Sequence, residues 1–143
     1  MKARDVALAL ARGRMAIGAA FLLVPGLAGR LWIGADARRG AVKLMTRALG
    51  GRDVALGLGV VIALDRGAPV RGWLEACTLA DAADFGATLL AGDSISEASR
   101  RATLLVAGGS AALGIALSRA LDQPLPRGEV QAPEAALTGH PPG

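Results

Sequence analysis

Four apolar stretches, separated by short charged segments, set the organisation of the chain. The first, Met15 to Ile33 (MAIGAAFLLVPGLAGRLWI), is nineteen residues long and carries one charge, Arg30, close enough to its end to snorkel to an interface. That is membrane-spanning length. Ahead of it, Lys2, Arg4, Arg12 and Arg14 surround a short apolar run, Val6 to Ala11, at helical spacing. A charged start before an apolar run also describes a signal peptide, with Gly26-Leu27-Ala28 as a conceivable cleavage site. The length of the basic leader and the apolar segments that follow favour a spanning helix instead.

Gly34 to Arg47 sets Asp36, Arg38, Arg39, Lys43 and Arg47 around Val42, Leu44 and Met45, and reads either as a basic amphipathic connector at a membrane surface or as a solvated loop. The second apolar stretch, Val54 to Leu64, has only eleven uncharged residues, so to span it must begin near Ala48 and carry Arg52 and Asp53 inside. A charged turn with Pro69 leads into the third, Val70 to Gly92, which is long enough to cross a bilayer yet contains Glu75, Asp81 and Asp84. After a turn rich in Ser and Asp comes the fourth, Ala102 to Ser118, with seventeen uncharged residues. From Asp122 onward five of the seven prolines appear beside Gly, Glu and Gln, which predicts a disordered tail over 122–143. The pattern thus predicts an all-α fold, a four-helix transmembrane bundle over residues 1–121, with spans at about 15–33, 48–64, 70–92 and 102–121.

Composition points the same way. Of 143 residues 52% are hydrophobic and 20% charged, and the mean hydropathy is +0.43. Twenty Gly, no Tyr, two Phe and two Trp make a weak recipe for a water-soluble core, whereas small residues let helices approach closely in lipid. A soluble helical bundle is the alternative, because the second stretch is short and bears charge. Cys77 is the sole cysteine and His140 the sole histidine, so no intramolecular disulfide, Cys/His metal site or thiol–imidazole catalysis can be assembled. Net charge is +4, but the basic residues are scattered between apolar runs with no aromatic platform among them, which favours lipid headgroups over nucleic acid as their counter-charge.

Charges within the spans are the main chemical signal. Each costs roughly 2.5 to 3.5 kcal/mol at the centre of a spanning helix, so they should face the bundle interior. On a helical wheel Trp73, Asp81, Asp84 and Thr88 all fall within about 40° of Cys77, while Glu75 lies on the opposite side and belongs at an interface. Asp53 falls on a small-residue seam with Gly50 and Gly57, where a neighbouring helix can come close. Arg52 is the economical partner for Asp81 or Asp84, with Arg12 and Arg14 available to a second carboxylate. Arg52, Asp53, Asp81 and Asp84 are therefore the candidate site: either a polar clasp that fixes helix register or a relay for protons or cations. Asp81-x-x-Asp84 lacks the flanking elements of the membrane phosphotransferases that hold Mg²⁺ with ordered aspartates, and Gly51-Arg52-Asp53 with Gly57-x-Gly59 lacks the strand and the Lys-Ser/Thr ending of a phosphate loop. Ala107, Ser110, Ala111, Gly114 and Ser118 have the small-xxx-small spacing of a helix contact rather than of a nucleophile. No catalytic residue, metal site or cofactor is expected. Trp32 and Trp73 stand at span ends on opposite surfaces.

Arg47 to Leu58 (RALGGRDVALGL), Arg71-Gly72-Trp73 and Asp81-x-x-Asp84 together resemble a group of small four-helix bacterial membrane proteins of unknown function, loosely similar to the DoxX-like group. The resemblance covers about residues 5–120 and implies a compact four-helix membrane bundle. DoxX-like relatives are associated with redox or thiol-stress membrane complexes, whereas this chain lacks a Cys pair or a haem-ligating His for a direct redox role. The expected function is that of a non-enzymatic accessory or assembly component of a membrane complex in the bacterial cytoplasmic membrane. Its expected partners are the bilayer and another membrane protein or a second copy. The alternative is a small proton- or cation-coupled carrier using Asp53, Asp81 and Asp84 with Arg52. Basic residues count eight on the side of the termini against seven on the other, and the first helix, which usually dominates orientation, puts both termini in the cytoplasm.

Overall fold

A computed structural model describes residues 2–121, so the expected disordered tail lies outside the described residues. Among the described residues the fold is all-α, with five helices: α1 (Ala3–Leu23), α2 (Pro25–Ile33), α3 (Gly40–Asp65), α4 (Arg71–Ala91) and α5 (Glu97–Ala120). Short 3₁₀ turns at Gly34–Arg38 and Gly92–Ser94 lead into α3 and α5.

The first predicted span is corrected by the structure. Residues 15–33 do not form one helix: α1 begins twelve residues earlier than Met15, at Ala3, and stops at Leu23. Pro25 has no N–H to continue the ladder and displaces the preceding residue from helical geometry, leaving Val24 at φ −129°, ψ 55°. A continuous helix would hold Phe21 and Trp32 about 16 Å apart along its axis. Their rings stack instead, with centroids at 5.6 Å, so α2 folds back against the end of α1. Residues 3–14, read above as a leader, are helical because the Lys2 backbone N–H is satisfied by Asp5 Oδ2 at 3.2 Å and because Arg14 finds carboxylate partners inside the bundle.

The basic connector is likewise shorter than expected, since α3 already begins at Gly40. Its early turns are ordered by contact with α2: a Cβ on Gly29 would stand 3.0 Å from Ala37 Cβ and 3.6 Å from Thr46 Oγ1, and both of these neighbours are buried. Gly34 (φ +75°) and Gly92 (φ +52°) close α2 and α4 in a backbone region that glycine enters without strain. Ser96 caps α5, its Oγ accepting from the Ser99 N–H at 3.2 Å.

α1 and α3 pack antiparallel with their backbones almost touching. A Cβ on Gly18 would meet the Gly50 carbonyl at 2.7 Å, and one on Gly57 would meet the Ala11 carbonyl at 2.7 Å and Met15 Cγ at 2.6 Å. α4 and α5 form a second antiparallel hairpin, seated through the buried Ala107, Gly114 and Ser118, with Gly114 against Thr78. At the end that holds the N-terminus and the α3–α4 turn, Ala7, Ala11, Val60, Leu64, Leu74 and Leu117 draw the two hairpins into one small core. Elsewhere the large apolar side chains lie outside: Leu23, Leu79, Leu90 and Leu105 are 72–90% exposed. By length and composition α1 and α5 can each cross a membrane, and only 17% and 22% of their apolar windows are buried, unlike the core helix of a soluble protein.

Close backbone packing makes a sharp contrast between glycines. Gly57→Ala should lower stability in detergent by about 1–3 kcal/mol, since backbone carbonyl as well as Met15 must give way. Gly86→Ala, with nothing within 4 Å of the added methyl, should be neutral or should stabilise by up to about 1 kcal/mol. Thermal melts of the two variants measure the difference.

Candidate functional site: a charged cavity at mid-height of the bundle

Helix geometry places five charged side chains at one level. Arg14 is the twelfth of 21 residues in α1, Asp53 the fourteenth of 26 in α3 and Asp81 the eleventh of 21 in α4. Arg52 and Asp84 adjoin them. Arg14 donates through Nη1 to Asp53 Oδ1 at 2.9 Å and through Nη2 to Asp81 Oδ2 at 2.5 Å, tying α1 to α3 and to α4. Arg52 grips Asp84 with two parallel bonds, Nη1 to Oδ1 at 3.0 Å and Nη2 to Oδ2 at 2.6 Å, and also donates from Nη2 to Asp53 Oδ1 at 3.1 Å. Asp53 Oδ1 is thus shared by both arginines.

Burial grades across the cluster. The side chains of Arg14, Asp81 and Asp53 are 8%, 10% and 13% exposed, whereas those of Arg52 and Asp84 are 31% and 26% exposed. The inner group is the desolvated one, and removal of either partner there strands a charge. Asp53 Oδ2 and Asp81 Oδ1 accept no hydrogen bond within the described residues, yet no side-chain oxygen or nitrogen is both sealed from solvent and without a partner. These two oxygens therefore open onto free space.

Asp53 and Asp81, with Arg14, Arg52 and Asp84, line a cavity of about 580 Å³. The charged cluster lies at its base, and Leu10, Ile17 and Phe21 of α1 face Val106, Ala107 and Ser110 of α5 across it; Ile17 and Val106 are also 49% and 62% exposed, so the space is a cleft open sideways between α1 and α5. It extends from this level towards the end of the bundle that holds α2, where Trp32 Nε1 donates to Thr103 Oγ1 at 2.6 Å and so connects α2 with α5. The small apolar core closes the opposite end. No three His, Cys, Asp or Glu side chains converge as a metal site among the described residues.

The structure thus brings together all four residues singled out from the sequence, Arg52, Asp53, Asp81 and Asp84. Arg52 pairs with Asp84 rather than Asp81, because Arg14 occupies Asp81. Glu75 stands apart on the exposed face of α4, bonded to Arg71 at 2.7 Å, and Arg12 is exposed. The central role of Arg14 is what sequence reasoning missed. A signal existed: Ala7, Ala11, Arg14, Gly18 and Phe21 repeat at helical spacing along one face of α1, a small-residue seam with one cation in its middle. For Trp32 and Thr103 no local pattern was available, since only the fold-back of α2 makes them neighbours.

Depth predicts unequal costs. Arg14→Gln strands Asp81 and leaves Asp53 to Arg52 alone, and should destabilise the bundle by about 3–5 kcal/mol. Arg52→Gln, nearer water, should cost about 1 kcal/mol. Unfolding in mixed micelles should separate them, and equal losses would mean that the cluster is uniformly solvated. Compared with family models, curated proteins and solved structures, the chain matches none.

Proposed function

We propose that this protein is a small integral membrane carrier of the bacterial cytoplasmic membrane, a four-pass bundle of α1, α3, α4 and α5 whose central cavity holds its cargo beside Arg14, Arg52, Asp53, Asp81 and Asp84. Inverted polarity carries the reading: large apolar side chains cover the outside, while five charges meet at mid-height inside. In water that arrangement wastes both the apolar exterior and the desolvated charges, whereas in lipid it meets each requirement. Twenty-one helical residues extend about 31 Å, close to the hydrocarbon thickness of about 30 Å. α3 and α4 carry Arg52, Asp53, Asp81 and Asp84 at mid-height, and these charges are paired with one another and with Arg14.

A carrier is favoured over an accessory subunit by the cavity, which a register-fixing clasp does not need. The space is closed by apolar packing at the terminal end and runs between α1 and α5 from mid-height towards the other, with Ile17 and Val106 of its lining also facing the outside, and we read it as one state in an alternating-access cycle. With both termini cytoplasmic, the mouth faces away from the cytoplasm. A resident α2, hinged at Val24–Pro25 and latched by Trp32 to Thr103, stands at that mouth.

Alkaline carbonate extraction combined with thiol labelling tests the reading. Retention in the washed pellet is expected, and release into the supernatant overturns the membrane assignment. Ser110→Cys in a Cys77→Ala background should label with an impermeant thiol reagent from the mouth side. Cys77 itself, one turn of α4 beyond Asp81 and buried, should label slowly from the side of the termini as the sealed half opens. A Ser110→Cys shielded from both sides, or a Cys77 wholly inert from the terminal side, overturns the carrier in favour of an accessory role.

A further inference from the structure

We infer that the cargo is a lipophilic organic monocation, an apolar body bearing a single delocalised or amine-type positive charge. The inference deepens the carrier reading and rests on it. Three carboxylates, Asp53, Asp81 and Asp84, face two guanidinium groups, Arg14 and Arg52, and no other ionisable side chain lines the cavity. The paired cluster therefore retains one negative charge in a low-dielectric interior, where one positive charge on a ligand balances it.

Hydrogen bonding leaves acceptors for such a charge. Arg52 is committed at Nε, Nη1 and Nη2 to Asp53 and Asp84, and Arg14 at Nη1 and Nη2 to Asp53 and Asp81, with no bond at its Nε within the described residues. Asp53 Oδ2 and Asp81 Oδ1, on two residues that line the cavity, accept no hydrogen bond within the described residues. A cation meets these acceptors without breaking a pair, and the sign of the cargo rests on three carboxylates against two guanidinium groups.

The walls specify the rest of the molecule. A bare or hydrated metal ion has no use for about 580 Å³ lined by Leu10, Ile17, Phe21 and Val106, and that volume suits a drug-sized ligand. Trp32 and Phe21, stacked at 5.6 Å and both in the lining, offer aromatic surface within the same space, which attracts cations and repels anions.

Tetraphenylphosphonium and tetraphenylborate, which share a shape and differ in charge sign, provide the test. Purified protein in neutral maltoside micelles is titrated with each, binding is followed by equilibrium dialysis and by the summed fluorescence of Trp32 and Trp73, and empty micelles serve as the blank. Saturable binding of tetraphenylphosphonium and none of tetraphenylborate is expected. Asp84→Asn, which neutralises the cluster at its more exposed edge, should weaken binding about tenfold or more. Arg52→Gln should strengthen it, and the double variant Arg52→Gln with Asp84→Asn, restoring one net negative charge, should return to the wild-type affinity.

Equal binding of the two ions, or preference for tetraphenylborate, overturns the inference, as does a double variant no better than Asp84→Asn when all three variants melt cooperatively. If neither ion binds while Ser110→Cys still labels from the mouth side, the organic-cation cargo is wrong and a proton balances the charge, with the carrier reading intact. If Ser110→Cys is shielded as well, the carrier reading itself fails.

Discussion

Everything in this bundle hangs on Arg14, whose guanidinium reaches Asp53 on α3 and Asp81 on α4 from the middle of α1. Without it, two carboxylates would share a desolvated space with only Arg52 for company. With it, three helices from opposite halves of the chain are fixed at one height, because a fork of donors constrains direction as well as distance. The α1–α3 and α4–α5 hairpins have glycine and alanine seams of their own, but between the hairpins the apolar contact is confined to the small core at one end. The charged cluster is the main connection elsewhere, and the cavity is the volume that such a sparse joint leaves unfilled.

A division of labour follows along the axis of the bundle. At the terminal end, Val60, Leu64, Leu74 and Leu117 exclude water by ordinary packing. At mid-height the charges resist being packed, since closing the space around free carboxylate oxygens would cost several kcal/mol of unmet solvation. At the far end Pro25 breaks the first helix and folds α2 back, so that a Trp–Thr hydrogen bond and an aromatic stack bound the cavity. A packed terminal end, charges at mid-height and α2 folded over the far end are the features on which the carrier proposal rests.

Small residues and charges exchange their usual roles here. In a soluble domain the interior is apolar and bulky; in this chain it is thin, glycine-rich and ionic, with Leu79, Leu90 and Leu105 turned outward. Close backbone approach and interhelical polar bonds hold the helices together where bulky apolar contact is sparse.

How far the sequence determined this depends on whether a feature is local. The helical class, the polar stripe of Cys77, Asp81, Asp84 and Thr88 on α4, the seam around Gly50 and Gly57, and the outward position of Glu75 all follow from spacing along one helix, which the 3.6-residue repeat makes legible. The sequence also demanded that a cation meet the aspartates, because unpaired charges in such a setting are too costly. It offered Arg52 to Asp81 or Asp84 and left Arg12 and Arg14 open for a second carboxylate, a choice that depends on which face of α1 turns towards α3. Likewise the break at Pro25 was visible as a residue but not as a fold-back. Only the tertiary structure decided that Arg14 takes Asp81, that Arg52 is left to Asp84, and that Trp32 reaches Thr103, for the physical reason that pairings across 67, 32 and 71 residues are set by helix packing and leave no periodic trace in the chain.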